Sequence, residues 1–400
     1  MSTKNVAPKA EKSMIPPIAM SLFPKRSFSE DFNEFAKSFS CRVMEIFQKN
    51  REITLETFKN DSEDFKRTLN VEVISDGASR FVTLTRLMGI LKKSPESIRK
   101  AFPYKTVLSL VKLTNFNCTI DATLIENLLE KVIHAEELYQ LLLPHAENSK
   151  EISSFALQSF IASYYVPKMV EEPENDIYYA AFATGIIFFF LDARRKEFIQ
   201  IQDLLSSTLL QHLEACIDAE NNCYVLPPFD YFSVSSFRDA LREFRSLDID
   251  RNGVLSLEEM FVFRNCYFNQ LFISRVFEIS HVYEGGCLDF KAFVDLMCAI
   301  KFRWTAASAK YHFEAMDLKG DGVLDADEIR TMSRLQTHVM PEFTGTEEAN
   351  TDTLTAELKD MLHLKGSITL DEFLNRKMHT TFTGVITNYM DYSKYERRDQ

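Results

Sequence analysis

At 400 residues the chain exceeds what one compact hydrophobic core accommodates, so two or three domains are expected, each burying enough apolar surface to stand without disulfide or metal staples. A formal charge of −12 repels a phosphate backbone at long range and argues against nucleic acid as the main partner. The seven cysteines are odd in number, scattered, and never fall in a C-x-x-C pair, which points away from a disulfide framework or zinc knuckle and towards a reducing compartment.

Residues 1–26 mix Pro, Lys and Ser without a sustained period, and a flexible arm is expected there. Lys9, Lys12, Pro16 and Pro17 interrupt any apolar run, so no secretion signal is expected; a short docking segment around Ile15, Ile18, Leu22 and Phe23 is the sharper alternative. Ser27 and Glu30 have capping-box spacing, after which Phe28, Phe32, Phe35, Phe39, Val43 and Phe47 recur at steps of three and four. Further helical patterns at 81–91, 105–113 and 123–143 make residues 27–145 an expected N-terminal helical region without strands. The apolar run 177–191 is shorter than the roughly 20 residues a spanning helix needs. A buried core helix is expected, and no membrane partner.

From about residue 150 a pattern repeats: a helix rich in Phe and Leu, a polar loop, one β-branched or leucine residue, and another amphipathic helix. Its markers are Ile152, Ile199, Leu255, Leu288, Leu324 and Ile368. The expected fold is all-α, an elongated array of paired helix–loop–helix units. Residues 146–233 form a degenerate part, 234–303 a pair with an intact loop, and 304–400 a second pair with a C-terminal tail.

The intact loop begins at Asp248 and reads DIDRNGVLSLEE, which matches the calcium-loop template at Asp248, Asp250, Asn252, Gly253, Ser256 and Glu259. A hard cation needs six to eight oxygens. Positions one, three and five converge side-chain donors, the Val254 carbonyl adds another, and Glu259 closes the site with both carboxylate oxygens. Phe237, Leu241, Phe244 and Leu247 precede the loop as an apolar stripe, and Met260, Phe261, Phe263 and Phe268 are expected on an outgoing helix. A second loop, DLKGDGVLDADE, holds Asp317, Asp321, Asp325 and Glu328 in register with the Val323 carbonyl. Lys319 stands there where an oxygen ligand belongs, so occupancy and a metal-free structural loop are both open readings. The loop from Asp192 to Asp203 carries Arg194 and Lys196 at ligand positions and lacks the turn glycine; it and the shortened loops around Gly285, Gly286 and Gly366 are expected to bind nothing.

The ordered segments FFFLDARRKEFIQIQDLL, FRSLDIDRNGVLSLEEM, FISRVFEI, CLDFKAFVDLMCAIKFRW, YHFEAMDLKGDGVLDADEI and SITLDEFL resemble those of B-double-prime regulatory subunits of protein phosphatase 2A over residues 150–400. The length and the FFFLD segment resemble the branch of plant Tonneau/FASS proteins and the nematode regulator of spindle assembly. The resemblance implies a non-catalytic protein that binds the helical-repeat scaffold and the catalytic subunit, carries Ca2+ in its EF-hand loops, and meets a centrosomal or microtubule-associated partner. It also implies a cytoplasmic, centrosomal or cytoskeletal location, with the nucleus as a further site. An independent calcium sensor and a cytoskeletal scaffold without a phosphatase are the alternatives. The enzyme itself is excluded by the absence of GDxHG, GDxxDR and GNHE, of H-E-x-x-H, and of P-loop and nucleophile-elbow motifs. His134 with Glu136 and Glu137 reads as an exposed helix face.

Overall fold

The computed structural model describes residues 53–397 except 77–78, 114–118, 149, 170–175, 193–194, 223–230, 281–285 and 345–349, together with helical residues 35, 38–39, 42–43 and 46–47. The expectations for residues 1–26, the Ser27–Glu30 cap, Phe28, Phe32, Arg194 and Gly285 therefore lie outside the described residues.

One local device builds most of the molecule. A branched apolar residue lies in extended backbone, and the next residue caps a new helix with its side-chain oxygen. Ser153 accepts from the Ala156 N–H, Asp289 from the Ala292 N–H, and Thr369 from the Glu372 N–H at 3.3, 2.7 and 3.4 Å. The apolar residues then pair between loops: Ile152 with Ile199, Leu255 with Leu288, and Leu324 with Ile368. Leu255 and Leu288 exchange N–H···O bonds of 2.7 and 2.8 Å. Each bridge satisfies backbone groups that a buried loop would otherwise strand, and so couples two helix–loop–helix units.

The same device occurs where only helices were expected. Residues 27–145 contain a three-stranded antiparallel sheet formed by Ile74–Asp76, Ser79–Thr83 and Thr119–Asp121, in which Val82 pairs with Ile120. Thr83 and Asp121 cap the helices Leu84–Lys93 and Ala122–Leu142. The stretch 81–83 continues the apolar pattern of the helix that follows, yet its β-branched Val82 and Thr83 are extended, because there they pair with 119–121. The N-terminal region is thus a helix–loop–helix pair as well, with Leu55–Glu72 and Tyr104–Leu113 as the incoming helices.

Buried side chains fall into two cores, one running from Phe39 to Val132 and a larger one from Leu138 to Tyr392. The Ala122–Leu142 helix serves both: Ile125, Leu128, Leu129 and Val132 pack in the first, Leu138 and Leu142 in the second. The Asp176–Leu191 helix is buried around most of its circumference, which accounts for its unbroken apolar run. At Gly185 a Cβ would lie 3.1 Å from Val294 Cγ1, so the glycine lets this helix approach Phe290–Lys301 closely. Among the described residues no helix is long and apolar enough to cross a membrane.

The helix expected after the first acid-rich loop is only Leu257–Met260. It stops short, and Arg264, Asn265 and Cys266 then take left-handed backbone, with φ of 49°, 57° and 61°, so the helix does not resume. Met260, Phe263 and Phe268 are buried as expected, but the latter two sit beyond the helix. Phe268 bridges Asn388, the Asn269 N–H donates to the Thr387 carbonyl at 2.9 Å, and the Tyr389 N–H donates to the Tyr267 carbonyl at 2.8 Å. The helices His379–Thr387 and Tyr389–Glu396 are thereby fastened to the segment that follows the loop.

Candidate metal centre

Asp248 ends the Val234–Leu247 helix, whose stripe of Phe237, Leu241, Phe244 and Leu247 is buried as its spacing requires. The Asp248 carboxylate accepts from the N–H groups of Asn252 and Gly253 at 3.0 and 3.1 Å. Asp250 Oδ1 accepts from the same Asn252 N–H at 3.0 Å. Gly253 has φ of 82°, the left-handed turn for which the template demands glycine. Asn252 Oδ1 accepts from the Val254 N–H at 2.9 Å, and because Leu255 makes the bridge to the neighbouring loop, the Val254 carbonyl is not committed to that ladder.

Glu259 closes the loop. One of its oxygens accepts from the Ile249 N–H and the other from the Ser256 N–H and hydroxyl, each at 2.8 Å, forming a capping box. Burial raises the affinity of its carboxyl for a proton, but hydrogen bonds from Ser256 and the Ile249 N–H outweigh that and hold it below the ordinary glutamate value. Carboxylate oxygens of Asp248, Asp250 and Glu259 lie within 4.8 Å of one another, and among the described residues this is the one such group. The donor set fits a hard divalent cation, since it consists only of oxygens and is already drawn together by loop N–H groups.

The second loop is closely similar in backbone. Asp317 accepts from the N–H groups of Gly320, Asp321 and Gly322, at 2.8, 3.2 and 2.8 Å, and Asp321 accepts from the Val323 N–H at 3.1 Å. Buried Glu328 accepts from the N–H groups of Lys319 and Asp325 at 3.0 and 2.9 Å. What differs is the third position, where the Lys319 ammonium pairs with the Asp325 carboxylate and lowers its pKa. Asp317, Asp321 and Glu328 do not form a three-carboxylate group like that of the first loop.

In the 192–203 loop, Asp192, Arg195 and Glu197 are engaged with neighbouring groups. The Glu197 N–H donates to Asp192 Oδ2 at 2.8 Å, the Glu197 carboxylate pairs with Lys291, and Arg195 reaches Glu314 at 3.2 Å and the Ile279 carbonyl. His134 is half-exposed, as expected of this face, and is also paired: its Nε2 lies 2.9 Å from Glu214 Oε2, and that carboxylate raises the imidazole pKa. Glu214 accepts in addition from the Tyr165 hydroxyl at 2.9 Å. Neighbouring Glu136 is buried, and burial pushes its carboxyl up to about 7.

Paired helix–loop–helix units joined by short bridges, one of them with a convergent acidic loop, define an EF-hand protein. Family models described as the RSA-1 N-terminal, middle and C-terminal domains match residues 32–136, 147–233 and 248–400. The serine/threonine-protein phosphatase 2A regulatory subunit rsa-1 of Caenorhabditis elegans is 50% identical over 400 residues, covering 98% of this chain and 99% of that protein. The gamma form of the human B'' regulatory subunits of phosphatase 2A is 27% identical over 224 residues, and the chain spans about half of its length, 49%, while 56% of this chain is covered. The probable B'' regulatory protein TON2 of Arabidopsis thaliana is 24% identical over 292 residues, 67% of this chain and 59% of that protein. A chain of a PP2A PR70 holoenzyme structure described as diCa superimposes with a TM-score of 0.54 at 22% identity, over 65% of this chain and 98% of its own length, which shows a shared fold. The chain belongs to the B'' family of protein phosphatase 2A regulatory subunits. Its role in the phosphatase is regulatory, not catalytic.

Proposed function

We propose that the chain binds the scaffold and catalytic subunits of phosphatase 2A and brings them to centrosomal, spindle or microtubule structures through a localisation partner, with calcium held in the 248–259 loop. The observation that carries the phosphatase part is identity of 50% to rsa-1 along nearly the whole of both chains. The calcium part rests on the convergence of Asp248, Asp250 and Glu259. Asn252 and the Val254 carbonyl complete an oxygen set of the kind Ca2+ takes, and the diCa description of the PR70 holoenzyme is in keeping with it.

In that loop calcium supplies charge neutralisation and no bond-breaking chemistry. The protein's own part is to hold mutually repelling carboxylates together with backbone N–H groups, so that little reordering accompanies binding. Tagged chain purified from cells should carry both phosphatase subunits in stoichiometric amount; their absence at physiological salt would overturn the assignment. Calorimetric titration of the chain should show calcium uptake that disappears in the Asp248→Ala, Glu259→Ala double variant, and unchanged heats in that variant would remove the loop from consideration.

A further inference from the structure

Among its described residues the degenerate 192–203 loop gathers no set of metal donors, yet it helps to build something else. Where it meets the helices Phe290–Lys301 and Ala306–Met316 and the start of Ser154–Tyr164, a cleft of about 560 Å3 opens. Phe188, Phe189 and Tyr311 give it aromatic walls. Five carboxyl and three cationic side chains line it.

Every one of those cations is already engaged. Lys291 pairs with Glu197 and donates to Ser154 Oγ at 2.9 Å; Arg195 pairs with Glu314 at 3.2 Å and lies over the Tyr311 ring; Lys310 pairs with Glu314 at 3.4 Å. Among the acids, Asp192 and Asp289 each accept from a backbone N–H, of Glu197 at 2.8 Å and of Ala292 at 2.7 Å. Asp295 is different: its Oδ1 is closed off from solvent and, among the described residues, has no hydrogen-bond partner. Burial pushes this carboxyl up to about 7, against the opposing influence of Lys291 and Arg195. Asp295 nevertheless lines the cleft, so its carboxyl is the acid there without a described donor that an incoming group can supply.

Next to the cleft, Phe155 and Ile177 are 80% and 67% exposed. They are tied into one patch by Gln158, whose amide donates to the Ile177 carbonyl at 3.4 Å. We propose that the cleft docks a short segment of a partner protein, whose arginine or lysine side chain donates to Asp295 while an adjacent apolar residue covers Phe155 and Ile177. An anionic ligand would face an excess of carboxylates whose cations are taken. A guanidinium instead finds an acceptor in a cleft where Phe155 and Phe189 offer rings besides those that Arg195 and Lys291 already cover, which favours arginine over lysine.

The test uses the full-length chain and fluorescent heptapeptides that carry Arg, Lys, norleucine or Glu at the centre, flanked by leucines. Arg and Lys peptides should bind at least tenfold tighter than the norleucine and Glu peptides. Asp295→Asn should lower Arg-peptide affinity at least tenfold, and Phe155→Ser, at an exposed position that the fold does not need, should lower it several-fold with the melting curve unchanged. Equal binding of all four peptides, or wild-type affinity in Asp295→Asn, would overturn the proposal. So would markedly tighter binding by a chain lacking residues 1–26, which would make this chain's own arm the occupant, or self-association abolished by Phe155→Ser, which would make it a second copy.

Discussion

Lys319 is the one side chain that deprives the second loop of a ligand position, and the structure shows what it does instead. Its ammonium is drawn to Asp325 and so occupies a carboxylate that stands in the same register as Ser256 of the first loop. Replacing Lys319 with Asp removes the repulsion and releases Asp325, so calorimetric stoichiometry should rise by one calcium per chain. Glu136 gives a pH signature of a different kind. Its folded carboxyl holds the proton more tightly than the unfolded one, so its contribution to stability is complete at low pH and is lost as pH rises from about 4.5 through about 7. Glu136→Gln should leave stability at pH 4 nearly unchanged and raise it at pH 8 by up to about 3 kcal/mol, read by denaturant unfolding at the two pH values.

At the scale of elements the unit is the bridged pair, and the N-terminal pair is held by the same kind of contact as the rest. Ile120 is fully buried opposite Val82, so Ile120→Ala should destabilise by about 2–5 kcal/mol in equilibrium unfolding, although no acidic loop lies near it. The helices were legible in the sequence because buried faces impose a period, as Phe237, Leu241, Phe244 and Leu247 illustrate. The bridges after residue 150 were legible too, since Leu255 and Leu324 each sit beside recognisable ligands. Val82 and Ile120 have no such neighbours, and Val82 merges with the apolar pattern of the helix after it. The signal that would have found them is the pairing of a branched residue with a capping Thr or Asp, present at Val82–Thr83 and Ile120–Asp121 as at Ile152–Ser153. The early end of the Leu257–Met260 helix had no local signal, since Arg264 and Cys266 are not residues that ordinarily adopt positive φ. Nor does spacing reveal the cleft beside Asp295, whose walls come from separate segments of the chain.

Across the whole molecule, the two cores are joined through Ala122–Leu142, and this decides where the chain can be divided. A chain beginning at residue 122 retains Leu138 and Leu142, whereas one beginning at 146 strips them from the larger core. The shorter chain should melt several degrees lower in calorimetry, and equal midpoints would count against a shared helix. With the proposed division of labour, the chain from 122 should still co-purify with the phosphatase subunits yet fail to reach centrosomes or microtubules in cells; correct placement in a fluorescence image would contradict it. The three left-handed residues after Met260 bear on how calcium would be felt. A sensor swings a long outgoing helix like an oar, and here the oar is one turn long. Tension on Glu259 would instead pass through a short strap to Phe268 and Asn388, tightening the C-terminal helices against the body of the molecule without opening a groove.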